Sequence, residues 1–309
     1  MVYAFFTFKS ILTIIEYTVT IDMSKRLVTG GGHMQAYTGF AQVYDAFMDN
    51  IPYDDWAGYL VELLKEYGVD KGLIADLGCG TGSITERLAK VGYDMIGIDN
   101  ADEMLAIAME KKADAYNEDE KAENDKREGI LYLLQDMREF ELYGTVDAIV
   151  SICDSMNYIM SEEDLLKVFK LANNYLEKQG VFIFDMNTPY KYENLLANNT
   201  IAESREDCSF IWDNYYYKEE GVNEYALSIY VRDEELEEEL EEKDIFKRFD
   251  ETHYQKSYSL ETVKRLIEEA GMEFVAAYDA FTKEPVKETS ERMYIIAREQ
   301  TQANKFYNK

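Results

Sequence analysis

The chain has 309 residues, of which 47% are hydrophobic and 14% aromatic, enough to form one substantial core with a small additional unit. Acidic side chains outnumber basic ones by 61 to 32, and the net charge of −29 disfavours binding to a phosphate backbone. Three widely separated cysteines and only two histidines argue against a disulfide framework and a zinc cluster. We therefore expect a cytoplasmic protein with no nucleic-acid partner, no membrane anchor and no bound metal.

The N-terminal segment differs from the rest of the chain. Its apolar stretch, residues 1–21, is interrupted by Lys9 and Glu16 and is followed by no small-residue cleavage site, which disfavours a signal peptide or a spanning helix. The tetrapeptide Gly-Gly-His-Met at 31–34 is what a purine-rich ribosome-binding site would encode if it were read in frame. We therefore expect residues 1–33 to be a leader that is either not native or disordered.

Strands and helices alternate along the first half of the remaining chain. Apolar and aromatic residues recur at spacings of three and four between Met34 and Tyr67, which predicts two helices separated near Pro52. The elements predicted next are strand 72–76, helix 84–91, strand 93–99, helix 103–116, strand 130–135, strand 146–151, helix 162–178 and strand 181–185. This alternation predicts an α/β fold with a Rossmann-like, seven-stranded, mainly parallel sheet.

The pattern changes after Asp185. Apolar stretches at 210–217, 225–232 and 245–258 follow one another without an intervening helix, which predicts a small antiparallel β insert of three strands. The stretch 233–244 contains nine carboxylates, and we interpret it as a solvated extension of a hairpin, with cation binding as the alternative.

The final part of the chain returns to the first pattern. It contains a predicted helix at 260–270 and two predicted strands, 274–279 and 292–298, with no helix between them. This arrangement predicts an antiparallel last strand. The expected organisation is leader 1–33, N-terminal helices and cofactor-binding core 34–186, β insert capping the substrate side 187–258, C-terminal part of the core 259–299, and tail 300–309.

A glycine-rich loop follows the first predicted strand. Gly78, Gly80 and Gly82 stand between this strand and a helix, where the lack of Cβ lets backbone amides approach a ligand at the positive end of the helix. The G-x-G-x-G spacing differs from the G-x-G-x-x-G of dinucleotide folds. The loop therefore predicts a site for a nucleotide-like ligand without naming it.

Acidic residues at the ends of the strands narrow the choice of ligand. Asp76 ends the first strand and Asp99 ends the second, where a carboxylate suits a ribose diol. The third strand leads into Asp136 and Met137, which together offer an acceptor for an adenine amino group beside an apolar wall. Binding of NAD would explain Asp99 but not Asp136.

The stretch Asp76-Leu77-Gly78-Cys79-Gly80-Thr81-Gly82 resembles the first motif of class I S-adenosylmethionine-dependent methyltransferases, and the acids at 99 and 136 resemble the next two motifs. The resemblance covers residues 37–298 and implies S-adenosyl-L-methionine as the cofactor. It implies that the glycines contact the methionine part, Asp99 the ribose, and Asn100 or Met104 the adenine, with Asp136 and Met137 at the adenine edge. The full set of candidate cofactor-binding residues is Tyr37, Tyr44, Asp76, Gly78, Cys79, Gly80, Asp99, Asn100, Met104, Asp136, Met137 and Cys153.

Three further segments, 37–45, 154–158 and 251–258, are similar to a subfamily of uncharacterised bacterial small-molecule methyltransferases. Members of this subfamily carry a strand insert after the fifth strand, and sugar N-methyltransferases have a comparable layout. The resemblance implies methyl transfer to the nitrogen or oxygen of a small polar molecule. We expect the protein to act as a monomer or a homodimer.

The candidate catalytic residues are His253, Asp154 and Asn157. Methyl transfer mainly requires alignment of donor and acceptor, but an amine acceptor must lose a proton, which a histidine or carboxylate can accept. His253 is the only histidine outside the leader, and Glu251 on the same strand face is placed to orient its imidazole or favour its charged form. A structural histidine is the alternative. Asp154 and Asn157 follow the fourth strand, so they are placed either to contact the substrate or to cap the next turn.

Two other functions are compatible with a complete donor site. A non-catalytic S-adenosylmethionine-binding sensor would have no open acceptor cavity lined by Asp154, Asn157, Tyr158 and His253. An RNA methyltransferase would need a basic rim that this composition does not supply.

The aromatic cluster Trp212, Tyr215, Tyr216 and Tyr217 is expected either to pack the inserted sheet or to form a wall of the acceptor site.

Overall fold

A computed structural model gives the structure of the protein, and it describes residues 41–116, 125–241, 244–301 and 305. The predicted leader and Tyr37 lie outside this part of the chain. The helices are α1 (Ala41–Phe47), α2 (Tyr53–Glu66), α3 (Ser83–Lys90), α4 (Asp102–Tyr116), α5 (Glu162–Tyr175), α6 (Glu234–Leu240) and α7 (Leu260–Glu269). The strands are β1 (Leu73–Leu77), β2 (Asp94–Asp99), β3 (Leu131–Leu134), β4 (Val146–Ser151), β5 (Leu176–Asn187), β6 (Thr200–Ser204), β7 (Cys208–Tyr217), β8 (Val222–Arg232), β9 (Phe246–Lys256), β10 (Met272–Asp279) and β11 (Arg292–Glu299).

The larger sheet has seven strands in the order β3-β2-β1-β4-β5-β11-β10. Strands β1 to β5 pair in parallel, because a helix or a long connection returns the chain to the same end of the sheet before each new strand. Strand β11 runs antiparallel to both of its neighbours. The predicted Rossmann-like α/β fold with an antiparallel last strand is therefore confirmed.

Both faces of this sheet are covered, which explains the nearly continuous apolar sequence of its central strands. In β5, Phe182 and Phe184 pack in the core on one face, with α5 and α7. Val181 and Ile183, which alternate with them, pack in the core on the other face, with α2 and α3. The alternation follows from the two-residue period of a strand, and each of these four side chains is fully buried.

The second sheet consists of β6, β7, β8 and β9, all antiparallel. The prediction of three strands was wrong, since β6 was not expected. Its sequence Thr-Ile-Ala-Glu-Ser is mostly polar and four of its five residues are exposed, because it pairs with a neighbour along one side only. An edge strand of this kind carries almost no hydrophobic pattern in the sequence.

The acidic stretch after β8 is not a simple hairpin extension as expected. It contains the short helix α6, which begins where the Asp233 carboxylate accepts a hydrogen bond from the Leu236 backbone N–H. An aspartate at the N-cap and glutamates in the first turn both stabilise the N-terminal end of a helix.

Within the described part of the chain, no helix is both long enough and apolar enough to cross a bilayer.

Asn157 joins the inserted sheet to the larger sheet. Its side chain is fully buried, and its Nδ2 donates to the backbone oxygens of Asn187, at the end of β5, and Lys256, at the end of β9, at 3.2 and 2.9 Å. Its Oδ1 accepts from the Asn187 backbone N–H at 2.9 Å. One carboxamide thus satisfies three buried backbone groups at the point where the two sheets meet.

We expect Asn157→Ala to lower the free energy of unfolding by about 3 kcal/mol, because three buried backbone groups lose their partner. Asn194→Ala is the matched control, since Asn194 is exposed and makes a single hydrogen bond to the Tyr190 backbone oxygen. The control should change stability by less than about 0.5 kcal/mol. Chemical denaturation of both variants measures the difference, and equal losses would contradict this role of Asn157.

Candidate active site

A cavity of about 510 Å³ lies at the carboxyl ends of β1 and β4, where the order of the parallel strands reverses. Open α/β sheets bind ligands at this position, and the volume is within the range of small-molecule sites. The predicted site residues that line it are Tyr44, Asp76, Gly78, Cys79, Gly80, Asp99, Asn100, Met104, Asp136, Met137, Cys153, Asp154 and His253. Residues far apart in the sequence are therefore brought to one site.

Asp99 holds the glycine loop in place. Its Oδ2 accepts from the Gly80 backbone N–H at 2.8 Å, and its Oδ1 accepts from the Ala101 N–H at 2.9 Å. Burial raises the pKa of Asp99, and these backbone hydrogen bonds oppose that effect. Because each carboxylate oxygen has two lone pairs, Asp99 keeps the capacity to accept from a ligand diol as well.

Asp76 is a buried carboxylate beneath the same loop. It is 2% exposed and accepts a hydrogen bond from the Thr85 hydroxyl at 2.6 Å. Burial raises the pKa of Asp76 to about 7, while the Thr85 hydrogen bond lowers it and the charge of Asp99 raises it further. In the unliganded protein this side chain therefore changes its charge near neutral pH.

Asp136 is held in place by the neighbouring Arg138. The guanidinium contacts both carboxylate oxygens at 2.5 to 3.0 Å, and the Arg138 backbone N–H donates to Oδ1 at 2.8 Å. Although burial opposes the effect, these hydrogen bonds lower the pKa of Asp136. Asp136 is therefore a charged, oriented acceptor at the edge of the cavity.

An ion cluster formed by Arg292, Asp185 and Asp154 adjoins the cavity. Arg292 donates to Asp185 at 2.7 Å and to Asp154 at 2.5 Å. Asp185 also accepts from the backbone N–H groups of Cys153 and Asp154, at 3.1 and 2.6 Å. Both of those residues have positive φ, 64° and 54°, which is rare for residues other than glycine and is typical of strained functional sites.

His253 lines the cavity and is 3% exposed. Its Nε2 is 3.0 Å from the Glu251 carboxylate, and its Nδ1 is 3.5 Å from the Tyr158 hydroxyl, at the limit of a hydrogen bond. Two residues further along β9, Gln255 donates to Asp154 at 2.7 Å. The strand that carries His253 is thereby tied to the ion cluster.

Aromatic side chains of the insert form part of the cavity wall. Trp212 and Tyr225 line it and pack edge to face, with ring centroids 4.9 Å apart. The Tyr225 hydroxyl donates to Gln255 at 2.6 Å. Of the predicted aromatic cluster on β7, Trp212 is the member that lines the cavity, while Tyr216 stacks on Tyr192 in the insert.

Not every predicted site residue reaches the cavity. Asn157 does not line it, because its carboxamide is occupied by the backbone contacts that join the two sheets. We therefore assign it a structural role. The sequence analysis did not identify Asp185, Arg292 and Lys191. Arg292 and Lys191 line the cavity, and Asp185 is paired with Arg292. The available signal was a charged residue at the carboxyl end of β5 and another at the start of β11, each flanking an otherwise apolar strand.

The residues present fit an S-adenosylmethionine molecule. A Cβ built on Gly80 meets no atom within 4 Å, so open space lies against this part of the loop. Oriented carboxylates at 99 and 136 provide acceptors, and Ile98, Met104 and Met137 provide apolar surface beside them.

Comparison with known proteins decides the family. Residues 74–180 match the family described as a methyltransferase domain. The chain is 33% identical over 263 residues to YqeM of Bacillus subtilis (strain 168), a protein named as a methyltransferase, and the match covers 85% of this chain and 96% of YqeM. This chain belongs to the class I S-adenosylmethionine-dependent methyltransferases. The cofactor of this methyltransferase is S-adenosylmethionine.

Other relatives of the methyltransferase are more distant. A glycine/sarcosine N-methyltransferase of Halorhodospira halochloris is 28% identical over 194 residues, covering 60% of this chain and 62% of that protein. A dTDP-3-amino-3,4,6-trideoxy-alpha-D-glucopyranose N,N-dimethyltransferase of Streptomyces venezuelae is 26% identical over 164 residues, covering 52% and 62%. The crystal structure of an S-adenosylmethionine-dependent methyltransferase from Clostridium acetobutylicum ATCC 824 has a TM-score of 0.71 and 26% identity, covering 86% of this chain and 99% of that one.

Two glycine substitutions separate binding from folding. Gly80→Ala places a methyl group in open space, although φ at Gly80 is +54°. We expect this variant to fold, at a cost of about 1 to 2 kcal/mol, and to bind S-adenosylhomocysteine at least about 10-fold more weakly. Isothermal titration calorimetry measures the affinity.

Gly82→Ala is the matched comparison. Its φ is +81°, and its Cβ would lie 2.4 Å from the Tyr132 hydroxyl oxygen. This variant should lose more stability in thermal denaturation than Gly80→Ala. Unchanged affinity of Gly80→Ala for S-adenosylhomocysteine would show that the alanine side chain at position 80 does not face the bound cofactor.

Asp76 should contribute a pH-dependent part of stability in the unliganded protein. Its pKa is about 7 in the folded state, against about 3.9 unfolded, so the folded state holds a proton that the unfolded chain releases. The free energy of unfolding therefore falls as pH rises through this window, by about 4 kcal/mol between about pH 4 and 8. In Asp76→Asn this part is absent. Denaturation of both proteins across that range tests it, and parallel curves would contradict the raised pKa.

Proposed function

We propose that this methyltransferase transfers the methyl group of S-adenosylmethionine to a nitrogen or oxygen atom of a small polar molecule. One observation carries the proposal: a single cavity is lined both by the glycine loop with Asp99 and Asp136 and by Asp154, Tyr158 and His253. A sensor of the nucleoside needs only the first set. An open region lined by polar side chains beside the donor residues favours an enzyme that also admits an acceptor.

The donor-binding residues follow from their place around the loop. When bound, S-adenosylmethionine supplies an electrophilic methyl group attached to a sulfonium. Gly78 and Gly80 would contact its methionine part, and Asp99 its ribose hydroxyls. The adenine would lie between Asn100 and Met104, with Asp136 and Met137 at its edge.

His253 is the proposed base on the acceptor side. The Glu251 carboxylate, 3.0 Å from Nε2, accepts the Nε2–H and so selects the tautomer in which Nδ1 carries a lone pair. The Tyr158 hydroxyl lies 3.5 Å from Nδ1 and also lines the cavity. A proton lost from the acceptor would therefore pass to Nδ1, either directly or through the Tyr158 hydroxyl.

Nitrogen is the favoured reacting atom. Two relatives are named as N-methyltransferases, one acting on glycine and sarcosine and one on an amino sugar nucleotide. An amine must be neutral to attack, and a histidine beside it would accept the proton that the amine loses.

A screen with isotopically labelled S-adenosylmethionine tests the function. Amines, amino sugars, small amino acids and hydroxy acids are each incubated with the protein, and transfer of label is measured. Labelled product from at least one class is expected. Tight binding of the donor with no transfer to any class would favour the sensor.

His253→Gln removes the proposed base but retains polar character. We expect kcat/KM for the acceptor found in the screen to fall by about 100-fold or more, with the affinity for S-adenosylhomocysteine unchanged. Tyr254→Phe is the control, since the neighbouring residue of a strand points to the opposite face and Tyr254 is 37% exposed. Steady-state kinetics distinguish them. Full activity of the His253 variant would leave the histidine a structural role.

A further inference from the structure

Among the described residues, three basic side chains line the cavity, those of Arg138, Arg292 and Lys191. Arg138 is paired with Asp136, and Arg292 is paired with Asp154 and Asp185. The charge of each arginine is thus balanced by carboxylates in direct contact. The lysine, Lys191, is in a different situation.

Lys191 begins the helical turn Lys191–Leu196 that follows β5. Its Nζ donates to the Asn187 side-chain Oδ1 at 2.9 Å, which is a neutral acceptor. Among the residues that the structure describes, no carboxylate lies within ion-pair distance of Nζ. One hydrogen bond accounts for one of the three donors of an ammonium group, so this cation has capacity for a further partner in the cavity.

The surroundings of Lys191 favour such a partner. Burial lowers the pKa of Lys191, the charge of Arg292 lowers it further, and Asp154 and Asp185 raise it. A partly desolvated cation without a contacting anion is unfavourable, and an anionic ligand that enters the cavity relieves this cost.

We propose that Lys191 anchors a carboxylate of the methyl acceptor, so that the substrates are small molecules that carry both an amine and a carboxylate. A single ammonium matches a single negative charge, whereas the nearby Asp154 carboxylate disfavours a phosphate dianion. The amine of the same molecule lies towards the Trp212 and Tyr225 rings and His253, where aromatic faces attract a cation before its proton is lost. The inference rests on the proposed function, because it names the acceptor of the same site.

Matched pairs of acceptors test the charge that Lys191 recognises. Glycine is compared with glycinamide, and β-alanine with β-alaninamide, because each pair replaces the carboxylate with a neutral carboxamide of nearly the same shape. The amine of the amide also has a lower pKa, which favours the amide, so a preference for the acid has to come from recognition of its charge. The wild-type protein should prefer the acid of at least one pair by about 10-fold or more in kcat/KM. Preference for the amides or for amino sugars would overturn the inference and leave the proposed function standing.

Variants of Lys191 then connect that preference to the side chain. Lys191→Met keeps the length and removes the charge, and it should lower kcat/KM for the acid about 10- to 100-fold, mainly through KM, while the amide changes little. Lys191→Arg should restore part of the preference. Lys218→Met is the control, since Lys218 is exposed and pairs with Glu193 outside the cavity. An unchanged preference in Lys191→Met would contradict the proposal.

Binding measurements separate the two other outcomes. The affinity of Lys191→Met for S-adenosylhomocysteine should equal that of the wild type. If this affinity falls by the same factor as kcat/KM for the acid, Lys191 binds the carboxylate of the donor and not that of the acceptor. If no compound is methylated, the proposed function fails. Calorimetric titration of glycine and β-alanine into the protein saturated with S-adenosylhomocysteine then decides the inference, which requires binding to the wild type and none to Lys191→Met.

Discussion

One side of the cavity depends on the buried ion pair between Asp185 and Arg292. Asp185 lies near the carboxyl end of β5 and Arg292 begins β11, so the pair joins two adjacent strands at the edge where the cavity opens. Asp185 also holds the backbone of Cys153 and Asp154 in a conformation that costs energy for residues with a Cβ. Removing one member of a buried pair leaves an uncompensated charge, a loss of about 3 to 5 kcal/mol, so this part of the site requires both partners.

The same ion pair provides a second link, besides Asn157, between the inserted sheet and the larger one. Arg292 holds one oxygen of Asp154, and Gln255 of β9 donates to the other. The oxygen of the Gln255 carboxamide in turn accepts from Tyr192 and Tyr225. A continuous hydrogen-bonded path therefore runs from the end of β5 to the insert, and it connects the ion pair to β9, the strand that carries His253 two residues before Gln255.

The side of the cavity around the glycine loop could be predicted from the sequence, and the side around Asp154 and His253 only in part. Gly80, Asp99 and Asp136 were predicted to share one site because each lies at or shortly after the carboxyl end of a strand, and these ends of parallel strands share one edge of the sheet. The partners Asp185 and Arg292 are separated by 107 residues, and no local pattern shows that separate strands bring them together. Asn157 was misplaced for the same reason, since its three partners belong to the ends of β5 and β9. Strand β6 was not predicted because an exposed edge strand shows no regular alternation of apolar and polar residues.

Two structural units of different character line the cavity, and the path through Gln255 connects them. The glycine loop and Asp99 belong to the larger sheet, whereas Trp212, Tyr225 and His253 belong to the inserted one. Side chains on the inserted strands can therefore be exchanged, which changes the shape of the cavity, without altering the residues proposed to bind the cofactor. Such redesign has to keep Gln255, because its carboxamide links Asp154, in the loop after β4, to Tyr192 and Tyr225 of the insert.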